Sequence, residues 1–295
     1  MKVVIISPVR DEAEFIGTTI QSMINQTLLP TEWIIVNDGS KDDTENIIKE
    51  FMNKARFIRY IYAPDRGYRK PGQGVVETFY VGFKKMVTTD YDVIAKLDGD
   101  LQLPPYTLER ICNEFIANPK LGITGATRYE RLKEKGDFKR VLVPKGFVGG
   151  PNKFYKRQCF EDIGGLIPRA GWDGVDVIKA NMKGWETREI QDLKIIHLRS
   201  TGTSTGEGLK RASEKDGDIS YYMGGYLWYF ALHALGRSLW MRNPWLGYYM
   251  LKGYLKSKRN NSVRESDEFR KFLKKKQLEN MVDWARQALR YFIKN

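Results

Sequence analysis

The sequence predicts an α/β protein with a mostly parallel central sheet flanked by helices and a helical C-terminal extension. Three observations carry this. Short β-rich runs alternate with helical patterns through the first 126 residues. The runs are continuously apolar rather than alternating, as strands covered on both faces are. Acidic and polar residues gather just past the ends of these runs, where ligands sit in open parallel sheets.

Taken in order, "VVIISP" (3–8) reads as the first strand and Glu12–Asn25 as the amphipathic helix after it. "EWIIVND" (32–38) leads into a helix over Asp42–Lys54, and "FIRYIY" (57–62) into a loop and a helix over Gly74–Lys85. "YDVIAKLD" (91–98) precedes a helix over Pro104–Asn118, and "LGITGA" (121–126) closes the regular part. From 127 to 200, glycine clusters ("GFVGGPNKF", "DIGGLIP", "AGWDG") predict loops around short elements. A helix over Gly174–Lys183 and a strand "LKIIHL" (193–198) stand among them. "RSTGTSTGEG" (199–208) reads as a loop, followed by an aromatic-rich helical region (219–255) and a charged tail. This organisation divides the chain at 1–126, 127–208 and 209–295.

A chain of 295 residues can bury a sizeable core. Lys and Arg number 49 against 36 Asp and Glu, a net +13, which favours an anionic partner: nucleic acid, a phosphorylated ligand or a membrane surface. Residues 252–295 alone hold 13 cations and 5 acids. Two cysteines, Cys112 and Cys159, form neither a disulfide framework nor a zinc spacing, which points to a reducing, cytoplasmic setting. The apolar run in "MKVVIISPV" is too short for a signal peptide. His233, Arg237, Arg242 and Asn243 interrupt the aromatic segment, so it falls short of the roughly 20 apolar residues a membrane span needs. Its Trp and Tyr, set among Lys and Arg, suit either packing against the core or peripheral contact of residues 219–295 with the inner face of the cell membrane.

"KLDGDLQLPP" (96–105) is the segment richest in chemistry. Residues two apart on an extended chain point the same way, so Asp98, Asp100 and Gln102 can converge. Two carboxylates that close repel unless a proton or cation neutralises them. Hard oxygen ligands with few partners suit Mg²⁺ or Mn²⁺, above all where substrate phosphates complete the shell. The competing reading is a solvated Asp-Gly turn. Asp38, at the ligand edge after the second strand, either accepts a base N–H or belongs to a turn whose Ser40 and Asp42 serve as caps. In "SPVRDEAE", Arg10 can pair a phosphate and Glu12 can orient a ribose or cap a helix. "RGYRKPGQG" (66–74), with Arg69, is either a phosphate contact or a solvated loop. His197, ending an apolar strand, reads by itself as a satisfied structural histidine.

"ISPVRDEAEFI", "IIVNDGSKDDT", "VIAKLDGDLQLPP", "GGPNKFYKRQCFEDIGGL" and "GWDGVDVIKANMKGWE" resemble, in order and spacing, the motifs of the family 2 inverting glycosyltransferases of GT-A fold. The resemblance covers roughly residues 2–200, and "DGDLQLPP" is similar to the metal site of polyprenyl-phosphate sugar transferases. It implies that Pro8, Arg10 and Glu12 line a nucleotide pocket and that Asp38 contacts a uracil or guanine ring. It further implies that Asp98 lies near ribose and metal, that Asp100 binds the metal directly, and that Gln102 and His197 are further metal neighbours. The loop between Arg199 and Arg211 either closes over a diphosphate, with one of these two as the cation, or is a disordered surface loop. Gly149, Gly150 and Trp172 fall on the acceptor side. In most relatives the later motif reads Glu-Asp and its Asp is the catalytic base. Counting back from Gly184 aligns that residue with Asp173, leaves Trp172 where Glu is usual, and makes Asp176 the alternative; Asp173 also suits a helix N-cap. Asp11 stands where relatives carry Asn.

The activity so implied is inverting sugar transfer from a UDP- or GDP-sugar to a saccharide or lipid-linked acceptor, with Mg²⁺ or Mn²⁺ as cofactor and Asp as general base. Without long spans or a Gln-x-x-Arg-Trp motif, single addition is expected rather than processive synthesis. A sugar-phosphate nucleotidyltransferase would want a glycine-rich basic loop after the first strand, and "SPVRDEAE" is not one. A nucleic-acid-binding module would line one groove with cations and stacking aromatics, and nucleic acid is not the expected partner. The missing Glu before Asp173 keeps a catalytically inactive binding protein as the remaining rival.

Overall fold

The computed structural model describes residues 1–65, 67, 70, 72–131, 138–199 and 208–294. The chain divides into two compact units, Met1–Thr205 and Gly206–Asn295. The first unit opens with β1 (Val3–Val9), α1 (Ile16–Ile24), β2 (Glu32–Asp38), α2 (Thr44–Met52), β3 (Ile58–Ala63), α3 (Gln73–Lys84) and β4 (Val93–Leu97). It continues with β5 (Leu101–Gln102), α4 (Thr107–Ala117), β6 (Leu121–Arg131), β7 (Phe138–Arg140), β8 (Asn152–Lys156), α5 (Arg157–Asp162), α6 (Trp172–Met182) and β9 (Glu186–His197). One sheet joins the strands in the order β3-β2-β1-β4-β8-β6-β9-β5, with β7 on β6.

The strands β3, β2, β1 and β4 pair in parallel. Period-2 side-chain alternation then splits each strand between two cores. Val3, Ile5, Trp33 and Ile35 pack with Ile16, Ile20, Ile48, Leu108 and Phe115 on one face. Val4, Ile6, Ile34 and Val36 pack with Val76, Phe79, Val177 and Ala180 on the other. Burial on both sides is why these runs read as continuously apolar.

Beyond β4 the directions mix. β8 is antiparallel to both β4 and β6, β6 is parallel to β9, and β5 is antiparallel to β9. The strand expected over 121–126 runs on to Arg131 through a register slip between Ala126 and Thr127. β9 begins at Glu186, ahead of the apolar "LKIIHL". Helix starts shift as well. Asp11 takes φ 53°, and Glu12 O accepts from Phe15 N and Ile16 N, so a tight turn precedes α1 where helix was expected. Gly171, at φ 81°, occupies the N-cap of α6, so Asp173 lies inside the first turn and does not cap it.

The second unit comprises α7 (Leu209–Met223), α8 (Leu227–Trp240), α9 (Pro244–Arg259) and α10 (Asp267–Lys294). Tyr221, Phe230, Ala234, Met250 and Tyr254 form its core. α7 and α9 approach to backbone contact: a Cβ on Gly217 would stand 2.0 Å from Met250 O. The Asn243 side chain accepts from Trp245 N, with Pro244 at the first position of α9.

Candidate active site

Three side chains meet where β4 ends. Asp98, Asp100 and His197 each offer a ligand atom, all within 4.8 Å of one another. Two acids that follow β4 and a histidine that ends β9 come together through β5, which pairs Leu101 with His197. Gly99, between the acids, is not a solvated turn residue. A Cβ there would lie 2.8 Å from Val9 Cγ1 and 3.2 Å from Ile16 Cδ1, so glycine is what lets the segment lie against the core. Thr19 anchors it, its hydroxyl donating to Gly99 O (2.8 Å) and accepting from Leu101 N (3.0 Å).

Asp100 and His197 are buried and Asp98 is partly exposed, and two polar atoms of the trio lack a hydrogen bond. His197 Nε2 lies 3.2 Å from Asp100 Oδ1, yet neither that oxygen nor His197 Nδ1 has a hydrogen-bond partner among the described residues. Unpaired buried polar atoms are costly, about 1–3 kcal/mol each. Burial pushes the Asp98 carboxyl up; the Lys96 ammonium opposes this and the Asp100 carboxylate adds to it. At His197 burial works against the imidazolium, but the Asp100 and Asp98 carboxylates outweigh it and its pKa stands above the ordinary histidine value. Two carboxylates, one of them with an oxygen that makes no hydrogen bond, and an imidazole are a donor set that fits a divalent cation. Gln102 is exposed on β5, outside the trio.

Around the trio, Arg199 Nη2 bonds Glu12 Oε2 (2.7 Å), and its Nε lies 3.9 Å from Asp100 Oδ2. Its guanidinium also stacks over Phe15, 5.1 Å from the ring centroid. Arg10 pairs with Asp65 (2.8 Å), so the cation expected to meet phosphate already has a carboxylate partner. Pro8 and Asp38 occupy the carboxyl-terminal parts of β1 and β2. Arg69 and the segment 200–207 lie outside the described residues, and Arg211 is an exposed residue of α7 in the second unit.

The acceptor-side expectations converge on α6 and the loop before β8. Asp173, partly exposed, lies against Gly150: a Cβ there would be 3.3 Å from Asp173 Oδ2 and 3.1 Å from the Trp172 ring. Gly150 O accepts from Lys96 Nζ (3.2 Å), and Lys96 also bonds Asp98. Lys96 thus ties Asp98 to the loop at Gly150, beside which Asp173 lies. Trp172, in the place of the usual Glu, is a buried platform with Lys96 and Lys153 5.7 and 5.4 Å from its ring.

Asp176 is placed differently from the expectation of an alternative base. It is 2% exposed, and its carboxylate oxygens accept from Lys153 Nζ (2.7 Å) and the Tyr155 hydroxyl. Burial raises its pKa, opposed by Lys153 and Tyr155. Lys153 also donates to Asp173 O (2.6 Å) and so fixes the turn that carries Asp173.

Some residues of this site had no role in the sequence reading. Lys96 was visible as a lone cation inside "VIAKL", and that was its signal. Lys153, Arg128 and Glu189 had none. Arg128 lies against Gly149, whose Cβ would come within 3.1 Å of its guanidinium. Glu189 is buried, its Oε2 without a hydrogen-bond partner among the described residues, and burial pushes its carboxyl up to about 7 against the pull of Arg128.

This architecture is that of the GT-A glycosyltransferases. The model of glycosyl transferase family 2 matches residues 4–171, and the chain belongs to that family. The glycosyltransferase GlyA of Streptococcus pneumoniae is 27% identical over 190 residues, 59% of this chain and 27% of that protein. The uncharacterized glycosyltransferase EpsJ of Bacillus subtilis is 28% identical over 143 residues, 48% of this chain and 36% of its own. The chain therefore spans only about a quarter to a third of these relatives' length. Among solved structures, the mannosyltransferase PcManGT from Pyrobaculum calidifontis in complex with GDP-Man and Mn²⁺ superposes with a TM-score of 0.56 at 14% identity, covering 98% of this chain and 80% of that one. S. aureus TarS 1-349 in complex with UDP-GlcNAc gives 0.55 at 15% identity, over 75% of this chain and 66% of that one.

Proposed function

We propose that the protein transfers a sugar, with inversion, from a UDP- or GDP-sugar to a saccharide or lipid-linked acceptor, and that peripheral membrane contact through residues 219–295 accompanies this activity. The observation that carries the reading is the Asp98–Asp100–His197 trio, with Asp173 beside Gly150, whose carbonyl accepts from the same Lys96 that bonds Asp98. In this reading Asp98, Asp100 and His197 hold Mg²⁺ or Mn²⁺, and Gln102 is a further neighbour. Such a cation, when bound, offsets the charge developing on a departing diphosphate.

The remaining roles belong to the chain itself. Pro8, Arg10, Glu12 and Asp38 line the nucleotide pocket, with Arg199 keeping Glu12 and Asp100 at a set separation. Asp173 takes the proton from the acceptor hydroxyl, which is a poor nucleophile until a carboxylate does so. Lys153 and Asp176 hold the turn carrying Asp173, and Gly149, Gly150 and Trp172 shape the acceptor side. Attack from Asp173's side on a donor held at the trio is a single displacement, hence inversion.

The test is a screen of UDP- and GDP-sugars with and without Mn²⁺ or Mg²⁺, reading nucleotide diphosphate release and the anomeric configuration of the product by NMR. One donor should be consumed, its use abolished by EDTA and restored by the cation. Turnover indifferent to EDTA, or a product with retained configuration, would overturn the reading.

A further inference from the structure

The second unit carries an apolar face that is exposed among the described residues. α8 is fourteen residues long, about 21 Å. Phe230 and Ala234 on one side enter the core with Met250 and Tyr254 of α9. Trp228, Leu232, Leu235 and Leu239, at helical spacings of four, three and four, share the opposite side. They are all exposed, Leu239 by 69%. The stripe runs on through the connection to α9, where Trp240 is 72%, Met241 56% and Trp245 61% exposed. Soluble surfaces seldom show contiguous apolar area of this kind without a partner for it.

Charge identifies the partner. From Ile219 to Arg264 there is no Asp or Glu; Arg237 and Lys252 pair with Asp216 and Glu214 of α7, and Arg242, Lys256, Lys258 and Arg259 are exposed cations. A second copy docked on the same face would bring its own cations against these, and like charges across an interface are repelled. An anionic headgroup layer complements them and accepts Trp and Tyr at its boundary. No helix among the described residues is long and apolar enough to cross a membrane, which leaves a helix lying in the surface plane.

We propose that the outer face of α8 (Trp228, Leu232, Leu235 and Leu239), together with Trp240 and Trp245, is a docking surface for an anionic lipid bilayer. The stripe enters the headgroup boundary and the flanking cations meet the phosphates. This specifies the membrane contact of the reading above, but its test is independent of sugar transfer.

The full chain is sedimented with vesicles of phosphatidylcholine alone and with added phosphatidylglycerol. Wild type should partition to the anionic vesicles only, and brominated lipid should quench its tryptophan fluorescence. Leu235→Glu with Leu239→Glu should cut partitioning at least about tenfold, with the unfolding temperature and donor turnover unchanged because both side chains are solvent-facing. Lys256→Glu should cut it by about fivefold or more, the worth of one interfacial cation. Wild type remaining in the supernatant would overturn the proposal, as would a double variant that binds like wild type. A wild-type dimer in sedimentation equilibrium, without vesicle binding and made monomeric by the double variant, would assign the face to a second copy instead. If the double variant fails to fold, quenching of wild type alone decides: unquenched tryptophans in anionic vesicles overturn the proposal.

Discussion

The two halves of the first unit's sheet are held together by different means. In β1–β4, parallel strands are buried on both faces and each polar residue past a strand end follows from local pattern. In β6–β9, parallel and antiparallel pairings mix, the register slips between Ala126 and Thr127, and close backbone approaches take over. A Cβ on Gly125 would stand 2.2 Å from Asn152 O, and the Asn152 side chain bonds both Ala126 N and Ala126 O. The proposed metal ligands thus rest mainly on a self-specifying half, and the proposed base on a half specified by long-range contacts.

That contrast can be broken by mutation. The largest effect should come from Asp100→Ala, which removes the orphaned buried oxygen: turnover and Mn²⁺-dependent nucleotide binding, read by calorimetry, should both be abolished. Full turnover in this variant would refute the metal assignment. On the other half, Asp173→Asn should cost about 10²–10⁴-fold in transfer and leave donor affinity intact, whereas Asp176→Asn should act through stability. Leaving buried Lys153 without its counter-charge should cost up to about 3–5 kcal/mol, seen as a lower urea midpoint. An active Asp173→Asn beside a stable, dead Asp176→Asn would reverse the two roles.

The smallest effect concerns Glu189. Its folded pKa of about 7 exceeds the ordinary 4.5, chiefly through burial. The folded state therefore binds more protons than the unfolded one between these values, and this group's contribution to stability falls as pH rises through that window. Glu189→Gln should flatten that decline and gain on the order of 2 kcal/mol at pH 8. Urea melts across pH 4–8 will show it; equal slopes for both proteins would refute it.

How much of this could be read in the sequence follows the same divide. The strands β1–β4 and the helices between them are visible because apolar runs and helical periods are local signals. β5, β7 and β8 are not, because two to five residues among glycines carry no period. Asp98 and Asp100 announce themselves by spacing. His197 reaches them only through pairing with Leu101, ninety-six positions away. The sequence places Asp176 and Asp173 on equal terms, since nothing local reveals that Lys153 and Tyr155 enclose the first. The ties of Arg199 to Glu12 and of Arg10 to Asp65 are likewise products of folding rather than of motif.

Gly99 has its own consequence. With Val9 and Ile16 pressed against its missing side chain, the hydrophobic interior forms the back wall of the pocket that holds the two acids. Evolutionary drift toward bulkier residues at Val9 or Ile16 would push that wall outward and spread the carboxylates without altering a single polar group. Selection on the proposed metal site would therefore reach into the hydrophobic core.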